Sequence, residues 1–178
     1  MKFNFNFLNK RYGINAYSQP IKNKLVQGYC NRCEDGFYII TLDYDDMELD
    51  CVTSEVKRLQ NDFQLGNFYI FHSGHGYHAV CLDKVTFKEL LLIMQNSSID
   101  KDYMEVPLYS GKKLWVLRVT DKADQELKHQ TTICSVYEGS IPQSTAHANL
   151  LNSLFSLDIN LSNPDNRKLL KLAQYPIS

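Results

Sequence analysis

The turn Ser73-Gly74-His75-Gly76 lies between two apolar stretches and commits the middle of the chain to a β-hairpin. Its flanks, Asn67 to His72 and Tyr77 to Asp83, are rich in the aromatic and β-branched residues that strands favour. Upstream, Gly36 leads into Phe37-Tyr38-Ile39-Ile40-Thr41-Leu42-Asp43, which predicts another strand. Leu49, Val52, Val56, Leu59 and Phe63 then recur at steps of three and four with charged residues between them, predicting an amphipathic helix ended by Gly66. Downstream, Thr86-Phe87-Lys88-Glu89 is a capping box that opens a second helix to about Gln95. Ser97, Ser98 and Asp100 break it. Tyr103 to Leu108 alternates, with Met104, Val106 and Leu108 on one side and Tyr103 and Glu105 on the other, and predicts a further strand.

Residues 37 to 108 thus predict an α+β fold with the ferredoxin/RRM-like order β-α-β-β-α-β. This is an antiparallel four-stranded sheet with both helices on one face and its first strand central. Around it stand N- and C-terminal additions: an opening strand over residues 1–7 and a polar connection from Lys10 to Lys24. Further strands are expected at Lys112 to Thr120 and Thr131 to Tyr137, with helices at Ser144 to Phe155 and Asn163 to Ala173. A length of 178 residues predicts one domain. Period-two alternation sends Tyr38, Ile40, Leu42, Met104, Val106 and Leu108 to the helix-covered face. The open face then receives Asp43, Asp45 and Glu105, with His78 delivered beside them by the hairpin.

A formal net charge of −1 argues against wholesale polyanion binding while leaving room for a local basic groove. Eleven tyrosines and nine phenylalanines serve packing and, equally, stacking on bases. Five cysteines without a secretory leader, and no apolar run of membrane-spanning length, predict a reducing, cytoplasmic setting and no membrane partner.

Three carboxylates on neighbouring strands can hold one or two Mg²⁺ or Mn²⁺ ions and leave coordination sites open for phosphate oxygens. The alternative is a solvated strand end, with Asp46 near the N-terminus of the following helix. The two turn glycines let backbone amides approach a phosphate closely, with Ser73 and His78 as side-chain donors. Cys30-Asn31-Arg32-Cys33 has the spacing of half a zinc site, but Cys51, Cys81 and Cys134 are isolated, so it reads as a turn with two thiols. Trp115 reads as core, and His129 and His147 as surface or helix residues without a role.

On these residues the chain resembles the catalytic core of archaeo-eukaryotic primases and the primase-polymerases of plasmids and phages. That family carries a strand-borne Asp-x-Asp, a Ser-Gly-x-Gly-x-His element, a third acid on a later strand and a following basic residue. Here Asp43-Tyr44-Asp45, Ser73-Gly74-His75-Gly76-Tyr77-His78, Glu105 and Arg118 are similar to that pattern, over residues 37–122. Asp100, Asp102 and Asp121 are alternatives for the third acid. The resemblance implies a DNA primase-type nucleotidyltransferase that uses Mg²⁺ or Mn²⁺ in replication of a virus or mobile element. Asp43, Asp45 and Glu105 would bind metal, while Ser73, His78, Arg118 and Lys122 would bind nucleotide, with Lys112 and Lys113 as further phosphate contacts. Its partners would be a single-stranded DNA template, nucleoside triphosphates and a helicase or other replication protein. The chain has no Gly-x-x-x-x-Gly-Lys-Ser/Thr motif of its own. Two other readings compete: a catalytically silent module that stacks single strands on an open sheet, and a rolling-circle nickase built on His72, His75, His78 and a tyrosine.

Overall fold

The computed structural model describes residues 2–7, 10–15, 27–120, 126–165 and 173–174. Lys122 and Asp121 lie outside the described residues, as do residues 16–24 of the expected polar connection and 166–172 of the last expected helix. The connection opens as a strand: β1 (Lys2–Phe7) pairs antiparallel with β2 (Lys10–Asn15). The last helix is not found at either described end, because Pro164–Asp165 and Ala173–Gln174 are short strands.

The body of the fold is α+β. After β3 (Gln27–Cys30) come β4 (Tyr38–Asp45), α1 (Leu49–Phe63), β5 (Phe68–His72), β6 (Gly76–Val85) and α2 (Phe87–Gln95). These match the predicted order, and the Thr86 capping box is formed in both directions. Helix α1 stops at Gln64, which takes a left-handed conformation and returns its N–H to the Gln60 carbonyl, two residues before the expected glycine. Strands β7 (Val116–Arg118) and β8 (Lys128–Ile133), then β9 (Gln143–Ser144), α4 (Thr145–Phe155), β10 (Pro164–Asp165) and β11 (Ala173–Gln174), complete the described residues.

The expected fourth strand is a helix. Residues 101–109 form α3 (Lys101–Tyr109), N-capped by the Asp100 carboxylate, which accepts the Tyr103 N–H at 2.6 Å. The residues of this stretch that pack on the core are Ile99, Tyr103, Met104 and Leu108, spaced four, one and four, which is helical. Val106, assigned to the core by alternation, is 59% exposed. Pro107, disfavoured inside a strand and inside a helix alike, lies inside α3 and gave no guide between the two.

Consequently β4 is not flanked by two strands of a ferredoxin-like sheet. The central antiparallel order is β4-β6-β5-β8, with β9 joining β6 at Asp83 and β10 parallel to β9, so the sheet is open and mixed. Helix α3 takes the place beside β4 that the missing strand would have held. The Asp100 N–H donates to the Asp43 carbonyl at 2.8 Å, and the Tyr103 hydroxyl pairs with Thr41 Oγ1 at 2.8 Å.

Neither face of the sheet is open. Tyr38, Ile40, Leu42 and Tyr44 of β4 pack with Phe68, Ile70, Ala79 and Cys81 against Val52, Val56 and Leu59 of α1, Leu90 and Ile93 of α2, and Trp115. On the reverse face Ile39, Tyr69, Phe71, Val80 and Leu82 meet Ala148 and Leu151 of α4 and Tyr29 and Leu117 of the small sheet β11-β3-β7. Sandwiched strands of this kind read as continuous apolar runs, as Phe37 to Leu42 does. His147, expected as a bystander, is buried between these layers. Its Nδ1 pairs with Ser144 Oγ at 2.7 Å and its Nε2 with the Cys30 carbonyl at 3.0 Å.

One backbone contact fixes the register of β4 on β6. A Cβ built on Gly76 would stand 1.8 Å from the Tyr44 carbonyl oxygen, which is backbone and cannot step aside. Gly76→Ala is therefore expected to cost about 3 kcal/mol or more of folding stability, measured by urea denaturation; a loss under about 1 kcal/mol would contradict the close approach.

Candidate functional site

Strand alternation turns Tyr44 into the core beneath α1 and directs Asp43 and Asp45 to the reverse face. The β4–β6 register sets Asp43 directly opposite His78, and Asp45 opposite Gly76. His78 is buried, and its Nε2 lies 3.4 Å from Asp43 Oδ1. In the turn, the Ser73 N–H donates to the Gly76 carbonyl at 2.9 Å, and Gly74 adopts φ +102°. The Asp46 N–H donates to the His75 carbonyl at 3.0 Å, and Asp46 itself takes φ +55°, a left-handed conformation that aspartate tolerates better than most residues. From β7, the Arg118 guanidinium donates to the Thr120 carbonyl at 2.8 Å and to the Ser73 carbonyl. These groups wall a cavity of about 480 Å³ lined by Asp43, Asp45, Asp46, Ser73, His75, His78 and Arg118.

The electrostatics are those of a site short of positive charge. Burial, then the neighbouring carboxylates of Asp45 and Asp100, push Asp43 up to about 7, while Arg118 pulls it the other way. Burial, reinforced by Arg118, pushes His78 down to about 3. The imidazole is thus neutral at physiological pH, and its approach to Asp43 is a polar contact rather than an ion pair. Asp43 Oδ1 and His78 Nδ1 are both buried without a hydrogen-bond partner among the described residues. Native proteins seldom leave such groups unpaired, because each lacks the solvation it had in water.

That pattern fits a divalent cation. An orphaned carboxylate oxygen with a second acid on the same strand face would gain most from an added double positive charge. Mg²⁺ characteristically takes one or two carboxylates and completes its shell with water and substrate phosphates. Asp43 and Asp45 fit that mode. A cage made by protein alone is not formed: among the described residues, no three His, Cys, Asp or Glu side chains gather as a metal group.

Several expected residues fall elsewhere. Glu105 sits on α3, pairs with Lys101 at 3.8 Å across one helical turn and does not line the cavity. Its expected position depended on a strand that is a helix. Asp100 is the acid that α3 brings to Asp43, through its backbone N–H and its charge, although its carboxylate is engaged as the helix cap. Asp102 and Lys112 line a separate cavity between α3 and β7, and the Lys113 ammonium stands over the Phe87 ring at 5.5 Å. Conversely, Asp46 and His75 join the cavity without having been singled out for it. Their signal was faint: an aspartate just after a strand, and a histidine between two glycines.

The discounted motifs stay apart from this site. Cys30 and Cys33 are partly buried and do not line the cavity, and burial pushes the Cys33 thiol up to about 11. His72 pairs across strands with Tyr77, so it faces away from His78 on the other side of the sheet.

The elevated Asp43 carboxyl makes stability depend on pH. In the unfolded chain it ionises near its ordinary value, whereas in the fold it keeps its proton to about 7. Its contribution therefore declines as pH rises from about 4 to about 7 and is constant above. Without divalent cations, Asp43→Asn is expected to match wild type near pH 4 and to exceed it by on the order of 3 kcal/mol at pH 8, read by urea denaturation across that range. A pH-independent difference would contradict the burial of this charge.

The chain matches no family model, and no curated protein or solved structure matches it.

Proposed function

We propose that the chain is a metal-dependent, template-directed nucleotidyltransferase of the primase or primase-polymerase kind, working on a single-stranded DNA template with nucleoside triphosphates. The observation that carries this reading is the cross-strand pairing of Asp43 with His78, which gathers Asp45, Ser73 and Arg118 around one polar cavity. Carboxylates beside a neutral imidazole and a guanidinium suit a polyphosphate with its counter-cations better than any organic anion alone. The resemblance of Asp43-Tyr44-Asp45 and Ser73-Gly74-His75-Gly76-Tyr77-His78 to the primase motifs supports the same reading.

Each side chain has a definite task in it. Asp43 and Asp45 hold Mg²⁺ or Mn²⁺, which when bound neutralises phosphate charge and activates the attacking oxygen. His78, kept neutral by burial, donates a ring N–H to a phosphate oxygen without adding charge. Ser73 offers its hydroxyl at the mouth of the turn, and Arg118 supplies a charge that does not titrate. Catalysis rests on positioning and electrostatic stabilisation of the transferred phosphoryl group, with no covalent enzyme intermediate. Template, and a helicase or other replication partner, would be engaged outside this cavity.

The two competing readings are disfavoured by the packing. A module that stacks bases on its sheet needs a bare aromatic face, and both faces here are covered. A nickase built on all three histidines needs them to converge; His75 and His78 share the cavity, but His72 faces the opposite side of the sheet.

Primer extension and de novo priming assays with Mg²⁺ or Mn²⁺ test the proposal. Asp43→Asn and Asp45→Asn are expected to lower synthesis by about a thousandfold or more while DNA binding survives. His78→Ala and Arg118→Ala are expected to lose about a hundredfold, and Glu105→Gln to act as wild type. Absence of synthesis with either metal, or full activity in Asp43→Asn, would refute it.

A further inference from the structure

A second cavity, of about 510 Å³, lies between α3 and β7 and differs in character from the first. Its walls are mainly apolar, formed by Tyr103, Val106 and Pro107 of α3 and by Leu114, Trp115 and Val116 leading into β7. Asp102, Ser110 and Lys112 supply its few polar groups, and all three are exposed. A mainly apolar cleft with a small number of polar side chains is the usual form of a site for a flat organic ligand.

The two cavities share their supports. Val116 lines the apolar one and Arg118 the polar one, two residues apart on β7, about 7 Å along a strand and on the same side of it. Tyr103, which walls the apolar cavity, hydrogen-bonds Thr41, two residues before Asp43 on the same face of β4. Asp100, directly before α3, is bonded to the Asp43 carbonyl. An occupant that suits both would carry an uncharged planar ring at one end and a phosphate chain at the other.

We infer that the cavity between α3 and β7 receives the base of the nucleoside triphosphate whose phosphates lie at Asp43, His78 and Arg118. The inference rests on the nucleotidyl-transfer reading and extends it to the substrate's other end. The apolar walls meet the face of the base without reading its edge, so the template rather than the cavity selects which base is used. Exposed Val106, otherwise an apolar side chain left in water at 59% exposure, acquires a partner.

Trp115, the single tryptophan, reports on this cavity directly. Wild-type protein with Mg²⁺ is titrated with each of the four nucleoside triphosphates and, separately, with inorganic tripolyphosphate, following Trp115 emission and heat. Nucleoside triphosphates are expected to change the emission and to bind about tenfold tighter than tripolyphosphate, which leaves the emission unchanged. Val106→Phe, at an exposed helix position that does not threaten folding, is expected to abolish that tenfold advantage and leave tripolyphosphate binding intact. Equal binding of both ligands, or a Val106→Phe protein that keeps the advantage, overturns the base site and leaves the phosphate site standing, with an apolar side chain of a partner protein as the cavity's occupant. Failure of wild type to bind either ligand overturns the base site and the nucleotidyl-transfer reading together.

Discussion

The register of β4 on β6 is the constraint on which the site depends. Asp43 meets His78 because Gly76 lets β6 pass the Tyr44 carbonyl at a distance that excludes any side chain. A slip of one residue would turn Asp43 and Asp45 into the apolar core under α1 and expose Tyr44 in their place. The hydrophobic alternation of β4 and the tight turn therefore specify one register together. The same turn carries Ser73 and holds Arg118 through the Ser73 carbonyl. A hairpin that might have been purely architectural thus sets the distances among the groups of the cavity.

Around that register the protein invests stability in charge. Both faces of the central sheet are buried, and the cavity is the place on its reverse face where apolar packing gives way to carboxylates, an imidazole and a guanidinium. Asp43 is held in surroundings that favour its protonated form, and the adjacent histidine is too poorly solvated to take up the balancing proton. Buried polar atoms without a partner among the described residues, and a left-handed aspartate next to them, are features that cluster at functional sites. The feature that weakens the fold is the one that would strengthen binding of a cation.

Much of this was legible in the sequence, and what was not has physical causes. The strand ending in Asp43, the amphipathic helix after it, the glycine hairpin and the Thr86 capping box each rest on local signals that tertiary packing did not override. Same-face placement of Asp43 and Asp45 followed from alternation, and that of His78 from alternation together with the hairpin strand's place beside β4. Glu105 was misplaced because six residues, Tyr103 to Leu108, satisfy a period of two in composition while Ile99, Tyr103, Met104 and Leu108 satisfy the helical one in space. Asp100, read as a helix breaker, is instead the cap of the next helix. The second covering of the sheet could not be anticipated, since it joins β3, β7 and α4 from distant parts of the chain, and local patterns carry no record of such contacts. The buried role of His147 was hidden for the same reason.

Paramagnetic broadening by Mn²⁺, followed by NMR on the histidine imidazoles and the turn amides, would locate the cation without relying on turnover. The structure predicts that substoichiometric Mn²⁺ broadens the ring signals of His78 and His75 and the amides from Ser73 to Gly76 most strongly, with weaker broadening at His129, which lies two strands beyond His78 on the same row of the sheet. It also predicts that Asp43→Asn removes this pattern. Broadening centred on another part of the molecule, or none at Mn²⁺ concentrations that saturate ordinary carboxylate sites, would contradict a cation-binding cavity at the junction of β4 and β6.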